Sequence, residues 1–194
     1  MQGSPSAYEV LRRRSSNAMA IGRSYIRAKL TGADSFGTRP VILGKARFRF
    51  DGTTHIGHRF MVEGFCFGVS IKVARGAVLS IGDDVYMNDG SSIEVWREIR
   101  IGNNVLLAPL SSIIDDDRHE VEPRVSRPKN PTIIGNNVWL GRCVSVLPGT
   151  VIGDNSVIGA NSVVTRDIPP NCFAAGAPAR VIRKLEIPDG WSRS

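Results

Sequence analysis

From Ile134 onward an aliphatic residue recurs at every sixth position: Ile134, Leu140, Val146, Ile152, Ile158 and Val164. Glycine often follows it, as at Gly135, Gly141, Gly153 and Gly159. Four residues after each aliphatic stands a small or β-branched residue: Val138, Val144, Thr150, Ser156 and Ser162. The same frame is present earlier, at Ile81, Met87 and Ile93. It slips by two at Ile99, resumes at Ile101 and Leu107, and reaches Ile113. A period of six is neither an amphipathic helix nor plain strand alternation. It predicts a parallel β-solenoid of triangular section, with one short strand and one corner per hexad and three hexads per coil. Pairs such as Asp83-Asp84, Asn103-Asn104, Asn136-Asn137 and Asp154-Asn155 supply the corners, because Asn and Asp tolerate tight-turn backbone conformations.

A stack of this kind must have its ends covered. Residues 8–30 read as a helix with Tyr8, Leu11, Met19, Ile21, Tyr25, Ile26 and Leu30 as its apolar content. Residues 180–185, following Pro178, read as a short helix closing the other end. Three segments result: a basic, partly helical cap over 1–50, the solenoid over 51–179, and a C-terminal helix and tail over 180–194. The repeat is broken at one place. The hexad after Ile113 would begin at 119, yet the run restarts at Ile134, and residues 119–133 carry Pro123, Pro128 and Pro131. An irregular loop extruded from a regular scaffold is a common seat of function.

Composition adds exclusions. Low aromatic content (7%), with 20 Gly and 11 Pro, suits short strands and turns. No apolar run is long enough to span a bilayer, and Arg12, Arg13 and Arg14 are not followed by the apolar stretch of a signal peptide. A cytoplasmic protein is expected. Cys66, Cys143 and Cys172 lack disulfide or zinc spacing and read as reduced thiols. The net charge of +7 sits in the first 50 residues, where ten basic residues face only Glu9 and Asp34. That segment reads as a solvated cap or subunit contact, or as a peripheral contact with an anionic membrane face. Nucleic acid is not an expected partner, because the aromatics are not interleaved with the basic residues.

His119 stands at the root of the extruded loop, after Asp115, Asp116, Asp117 and Arg118. A histidine there has the chemistry of a general base, and nearby carboxylates are suited to fix its tautomer. From the residues alone it reads more readily as a solvated loop side chain.

Residues 81–185 resemble the hexapeptide-repeat acyltransferases, especially the galactoside and maltose acetyltransferases and those that decorate bacterial polysaccharides. The resemblance is carried by Ile101-Gly102-Asn103-Asn104-Val105, by the Asp116-x-x-His119 group and by Ile134-Gly135-Asn136-Asn137-Val138-Trp139. It continues through Pro148-Gly149-Thr150-Val151-Ile152-Gly153, Ile158-Gly159-Ala160-Asn161-Ser162 with Thr165-Arg166, and Ala175-Gly176-Ala177-Pro178-Ala179-Arg180-Val181-Ile182-Arg183. It implies an all-β fold, a left-handed parallel β-helix, and a homotrimer with sites between subunits. It implies acetyl-CoA as donor, no metal, and a sugar or lipid-linked sugar hydroxyl as acceptor, deprotonated by His119. Asp116 is implied to orient His119 or bind the acceptor, and Asn88, Tyr86 and Asp115 to lie on the acceptor side. Gly141, Arg142, Ala160, Thr165, Arg166, Arg180 and Arg183 match positions along the coenzyme A groove. Arg142 replaces the small polar residue usual there, and the family's acidic acceptor contact after Asn88 has no clear equivalent, Glu94 being only a neighbour.

Two other readings use the same scaffold. A γ-type carbonic anhydrase needs three histidine ligands across a subunit boundary; this chain has His55, His58 and His119 without a second histidine soon after His119. A non-catalytic repeat module would have no use for the loop histidine or for the Arg180/Arg183 pair.

Overall fold

The computed structural model describes residues 32–119, 130–188 and 190–193, and these fold as about six coils of a three-faced parallel β-helix. The first face stacks β1 (Ser35–Phe36), β3 (Thr53–Ile56), β5 (Val78–Ile81), β8 (Glu98–Ile101), β11 (Thr132–Ile134) and β14 (Val151–Ile152). The second face starts with the first halves of β2 (Val41–Phe50) and β4 (Met61–Val73). It continues through β6 (Tyr86–Met87), β9 (Leu106–Leu107), β12 (Trp139–Leu140), β15 (Val157–Ile158) and β17 (Cys172–Gly176). The third face takes the second halves of β2 and β4, then β7 (Ser92–Val95), β10 (Ser112–Ile114), β13 (Ser145–Val146) and β16 (Val163–Val164).

The hexad aliphatics fill the axis. Met87, Ile93, Leu107, Ile113, Leu140, Val146, Ile152, Ile158 and Val164 have no solvent-exposed surface, and the small or β-branched positions Val138, Val144, Ser156 and Ser162 are equally buried beside the corners. The buried hydroxyls do not go unpaired: Ser162 Oγ donates to the Gly159 carbonyl at 2.6 Å and Thr150 Oγ1 to Leu147 at 2.8 Å. At the corner between the first and second faces, Asp84, Asn104, Asn137, Asn155 and Asn171 all have φ between 55° and 61°, the left-handed region that Asn and Asp tolerate best. Their side chains stack as a ladder, Asn137 Nδ2 donating to Asn155 Oδ1 at 2.8 Å and Asn155 Nδ2 to Asn171 Oδ1 at 2.9 Å.

Coil lengths explain the irregular sequence period. Corner partners are 18 residues apart where Asn136 meets Asp154, but 20 apart where Asp83 meets Asn103, which is the slip of two at Ile99. They are 33 apart where Asn103 meets Asn136, the coil that carries the extruded loop. The coil joining His58 to Asp83 spans 25 residues. Part of its excess is a bulge between Gly64 and Val69, which leaves Phe65 and Phe67 more than 60% exposed.

Two expectations change. The 180–185 helix is absent: Ala179–Lys184 is a strand, β18, antiparallel to β17. The edge of β17 offers a row of unpaired backbone groups, and Val181 and Ile182 are β-branched residues suited to such an edge, so sheet pairing outweighs local helix propensity. The solenoid also begins before residue 51, because β1 pairs with β3 and β2 with β4. The expected helix over 8–30 lies outside the described residues.

Candidate functional site

The segment leading to His119 leaves the third face at Ile114 and is fixed residue by residue. Asp115 is completely buried; its Oδ1 accepts from the Trp96 N–H at 2.7 Å and its Oδ2 from the Arg97 N–H at 2.8 Å. These are charge-assisted bonds that tie this corner to the one below. Asp116, with 7% of its side chain exposed, accepts from Arg97 Nε at 3.0 Å and from the Arg118 N–H at 2.7 Å. Arg118 has φ 62° and lays its guanidinium over the Trp96 ring, 4.0 Å from the centroid. His119 follows, exposed. On the return side Thr132 Oγ1 donates to the Ile114 carbonyl at 3.1 Å and accepts from the Gly149 N–H at 3.0 Å, closing the root of the loop. Asp115 has no surface to offer an acceptor, so the acceptor contact expected of it is replaced by an anchoring role. Asp116 likewise shapes the turn into His119.

Asn88, Gly141, Arg142 and Ala160 occupy the corner between the second and third faces. There Leu110 N–H donates to Asp89, Cys143 to Pro109 and Asn161 to Arg142, linking successive coils. Asn88 Oδ1 accepts from the Asp89 N–H at 2.7 Å. Arg142 and Ala160 are exposed. Gly141 is buried, and a Cβ there would lie 2.7 Å from the Ile158 carbonyl oxygen and 2.8 Å from the Ala160 nitrogen. Glycine is therefore required by the neighbouring coil, whatever lies outside it. Tyr86 donates its hydroxyl to Glu63 Oε2 at 2.5 Å; burial first, and then the Glu63 hydrogen bond and charge, push its pKa well above the ordinary tyrosine value.

Thr165 and Arg166 are exposed at the end of β16, on the same corner line as His119. Arg180 and Arg183 are exposed on β18. Arg183 lies 5.9 Å over the Phe173 ring and lines a cleft of about 540 Å³ together with Trp139, Phe173, Lys184 and Arg193. A cationic, aromatic cleft of that size lies within the usual range for small-molecule sites. Within one chain the candidates thus divide: Asn88 precedes the third face and His119 follows it. A four-residue strand such as β7 separates the two corners by about 13 Å.

Several contributors were not singled out from the sequence. Trp96 and Arg97 look like the slip in the repeat and nothing more. Arg193 donates to Asn137 Oδ1 and to the Asn137 and Asn155 carbonyls, clasping the asparagine ladder, and burial lowers its pKa. Asp89 accepts from the Cys66, Phe67 and Gly68 N–H groups. Burial would raise its pKa, but those backbone donors outweigh it and hold the carboxyl below the ordinary range. His55 bonds Ser35 and His58 bonds Thr38, both on early coils. Among the described residues no group of three or more His, Cys, Asp or Glu is placed to hold a metal, and no helix is long and apolar enough to cross a membrane.

Residues 131–166 match the family described as bacterial transferase hexapeptide (six repeats). A galactoside O-acetyltransferase of Escherichia coli K12 is 46% identical over 122 residues, 61% of this chain and 60% of that protein, so the chain matches somewhat over half of that relative's length. A putative lipopolysaccharide biosynthesis O-acetyl transferase of the same strain is 36% identical over 151 residues, 70% of this chain and 74% of that one. Among solved structures, a galactoside acetyltransferase in complex with coenzyme A is 27% identical with a TM-score of 0.56, covering 95% of this chain and 92% of its own. The left-handed β-helix is common to both. By its repeat, its coil geometry and these likenesses, the chain belongs to the hexapeptide-repeat acyltransferase family.

Proposed function

We propose that this chain is an O-acetyltransferase that moves an acetyl group from acetyl-CoA to a hydroxyl of a sugar or glycan precursor, with His119 as general base. The observation that carries the reading is the anchoring of Asp115 and Asp116, which delivers an exposed histidine at the longest interruption of the stack. In the reaction the His119 imidazole takes the proton of the acceptor hydroxyl as that oxygen attacks the thioester carbonyl. The tetrahedral intermediate then expels the coenzyme A sulfur, which leaves with a proton returned from the imidazolium. The thioester is already activated, so position, a base and oxyanion donors suffice and no metal is required.

Donor binding is assigned to the exposed Arg142, Ala160, Thr165, Arg166, Arg180 and Arg183, with guanidinium groups suited to the nucleotide phosphates. Support comes from the coenzyme A bound in the related galactoside acetyltransferase and from the cationic, aromatic cleft beside Arg183. Asn88 is assigned to the acceptor. Because Asn88 and His119 stand at opposite ends of the third face, a homotrimer in which neighbouring copies complete each other's sites fits the placement of these residues. A cytoplasmic reaction goes with that donor, and a glycan-building role with the lipopolysaccharide relative.

The test is His119→Ala, with folding checked by circular dichroism and turnover followed by thiol release. Loss of a positioned base costs about 10²–10⁴-fold. Near-normal turnover in that variant refutes the base assignment.

A further inference from the structure

Trp96 carries two cations. Arg118 lies 4.0 Å and Lys72 Nζ 4.4 Å from the centroid of its ring, so the two charges are no further apart than those distances combined. Among the described residues neither forms an ion pair with a carboxylate. Lys72 is the register neighbour of the exposed Glu94 on the third face, yet the two form no ion pair, and Arg118 forms none with the exposed Asp117 beside it. Arg97, the nearby third cation, is already committed to Asp116.

Holding two like charges on one indole costs free energy that a lone pair on solvated stems would avoid. Cation–aromatic contact offsets part of this cost. It also leaves the useful donors outward, since a guanidinium stacked by its face keeps its N–H edge open and an ammonium keeps its remaining N–H groups. The backbone beneath is rigid, because the Trp96 N–H is held by the buried Asp115 and the Arg118 N–H by Asp116. Arg118 is the residue immediately before His119. The result is a preorganised pair of positive charges beside the proposed base.

We propose that Lys72 and Arg118, held on Trp96, form an anion subsite that selects acceptors bearing a carboxylate or phosphate near the hydroxyl to be acetylated. The inference rests on the O-acetyltransferase reading with His119 as base and deepens it by naming the charge class of the acceptor. It also gives the chain a substitute for the acidic acceptor contact that is missing after Asn88: here the selective element is cationic.

Three probes separate the cases: methyl glucoside (neutral), methyl glucuronoside (carboxylate) and glucose 1-phosphate. With acetyl-CoA and thiol release as readout, at least one anionic probe is expected to exceed the neutral one in kcat/KM by about tenfold or more. Which anionic probe leads identifies the source of the charge. Lys72→Met and Arg118→Gln should each erase most of that preference while leaving the KM for acetyl-CoA unchanged. Equal use of all three probes by the wild-type protein overturns the proposal. So does a uniform loss on all three in both variants, or a shift of the acetyl-CoA KM instead of the acceptor preference.

A binding measurement stands apart from turnover. In a His119→Ala protein also carrying Trp139→Phe and Trp191→Phe, Trp96 is the sole tryptophan of the original three. Its emission should change saturably with an anionic probe and not with methyl glucoside. Silence toward both anionic probes refutes the subsite, whereas failure of the base assignment alone would leave this response intact.

Discussion

The Tyr86 hydroxyl donates to the Glu63 carboxylate at 2.5 Å, joining two successive coils on the second face. The phenol is therefore committed as a donor inside the protomer, which leaves only its oxygen lone pairs for any other partner.

Tyr86→Phe should leave the half-buried Glu63 without its donor and lower stability by about 1–3 kcal/mol in urea denaturation. The pH dependence has a definite sign. The folded pKa of Tyr86 is raised, so its contribution is fully present below the unfolded value of roughly 10 and declines as pH rises beyond it. A Tyr86→Phe protein should show a weaker alkaline decline than the wild type. Identical alkaline curves would remove the link.

Asp115→Ala leaves the part-buried Trp96 and Arg97 N–H groups without their carboxylate. The expected cost is about 2–4 kcal/mol of stability, with kcat for acetyl transfer falling more than KM changes, since the His119 segment loses its anchor. Asp115→Asn, whose amide oxygen can still accept from one of the two, should fall between. A variant with unchanged melting temperature and unchanged kcat would show that the anchor is dispensable.

Asp89 holds the Phe65–Gly68 bulge through three backbone donors. Its pKa is lowered in the fold, so the hold is present above the unfolded carboxylate value of roughly 4 and is lost as pH falls through the lower folded value. Hydrogen exchange at Cys66, Phe67 and Gly68 should be protected near neutrality, and Asp89→Asn should accelerate it there without changing the exchange of Ile93 or Leu107. Equal protection in that variant would assign the bulge's order to something other than Asp89.

Adjacent residues of β12 should respond oppositely to truncation. Leu140 is fully buried, and Leu140→Ala should cost about 2–5 kcal/mol. Trp139 is 44% exposed on the outer surface, and Trp139→Ala should cost much less in denaturation while reducing acetyl-CoA binding measured by calorimetry. Equal losses of stability would contradict the inward–outward alternation.

The sequence makes the coil legible because one aliphatic side chain per hexad is all the axis can hold, and that constraint prints directly as a period of six from Ile134 to Val164. His119 is legible by default, as the residue at which the period fails. The C-terminal strand was not, because Ala179–Lys184 alone carries no alternation to distinguish it from a helix, and its state depends on the open edge of β17. The roles of Asp115 and Trp96 were equally hidden. Carboxylates three and four residues before a histidine look catalytic in one dimension, and only the adjacent coil shows that Asp115 faces the Trp96 and Arg97 N–H groups while Asp116 holds the Arg97 side chain. The two-residue slip at Ile99 appeared as noise, yet the longer coil it marks includes Trp96 and Arg97.

A stack of near-identical parallel rungs has no intrinsic last member, and a bare terminal rung is a template on which the next molecule can grow. β18 breaks that succession. It runs against β17 and exposes Arg180, Arg183 and Lys184 around Val181 and Ile182, so an incoming rung would meet reversed strand polarity and several positive charges. The hairpin at this end thus gives the second face an edge of reversed polarity, one that a further parallel rung would not extend in register.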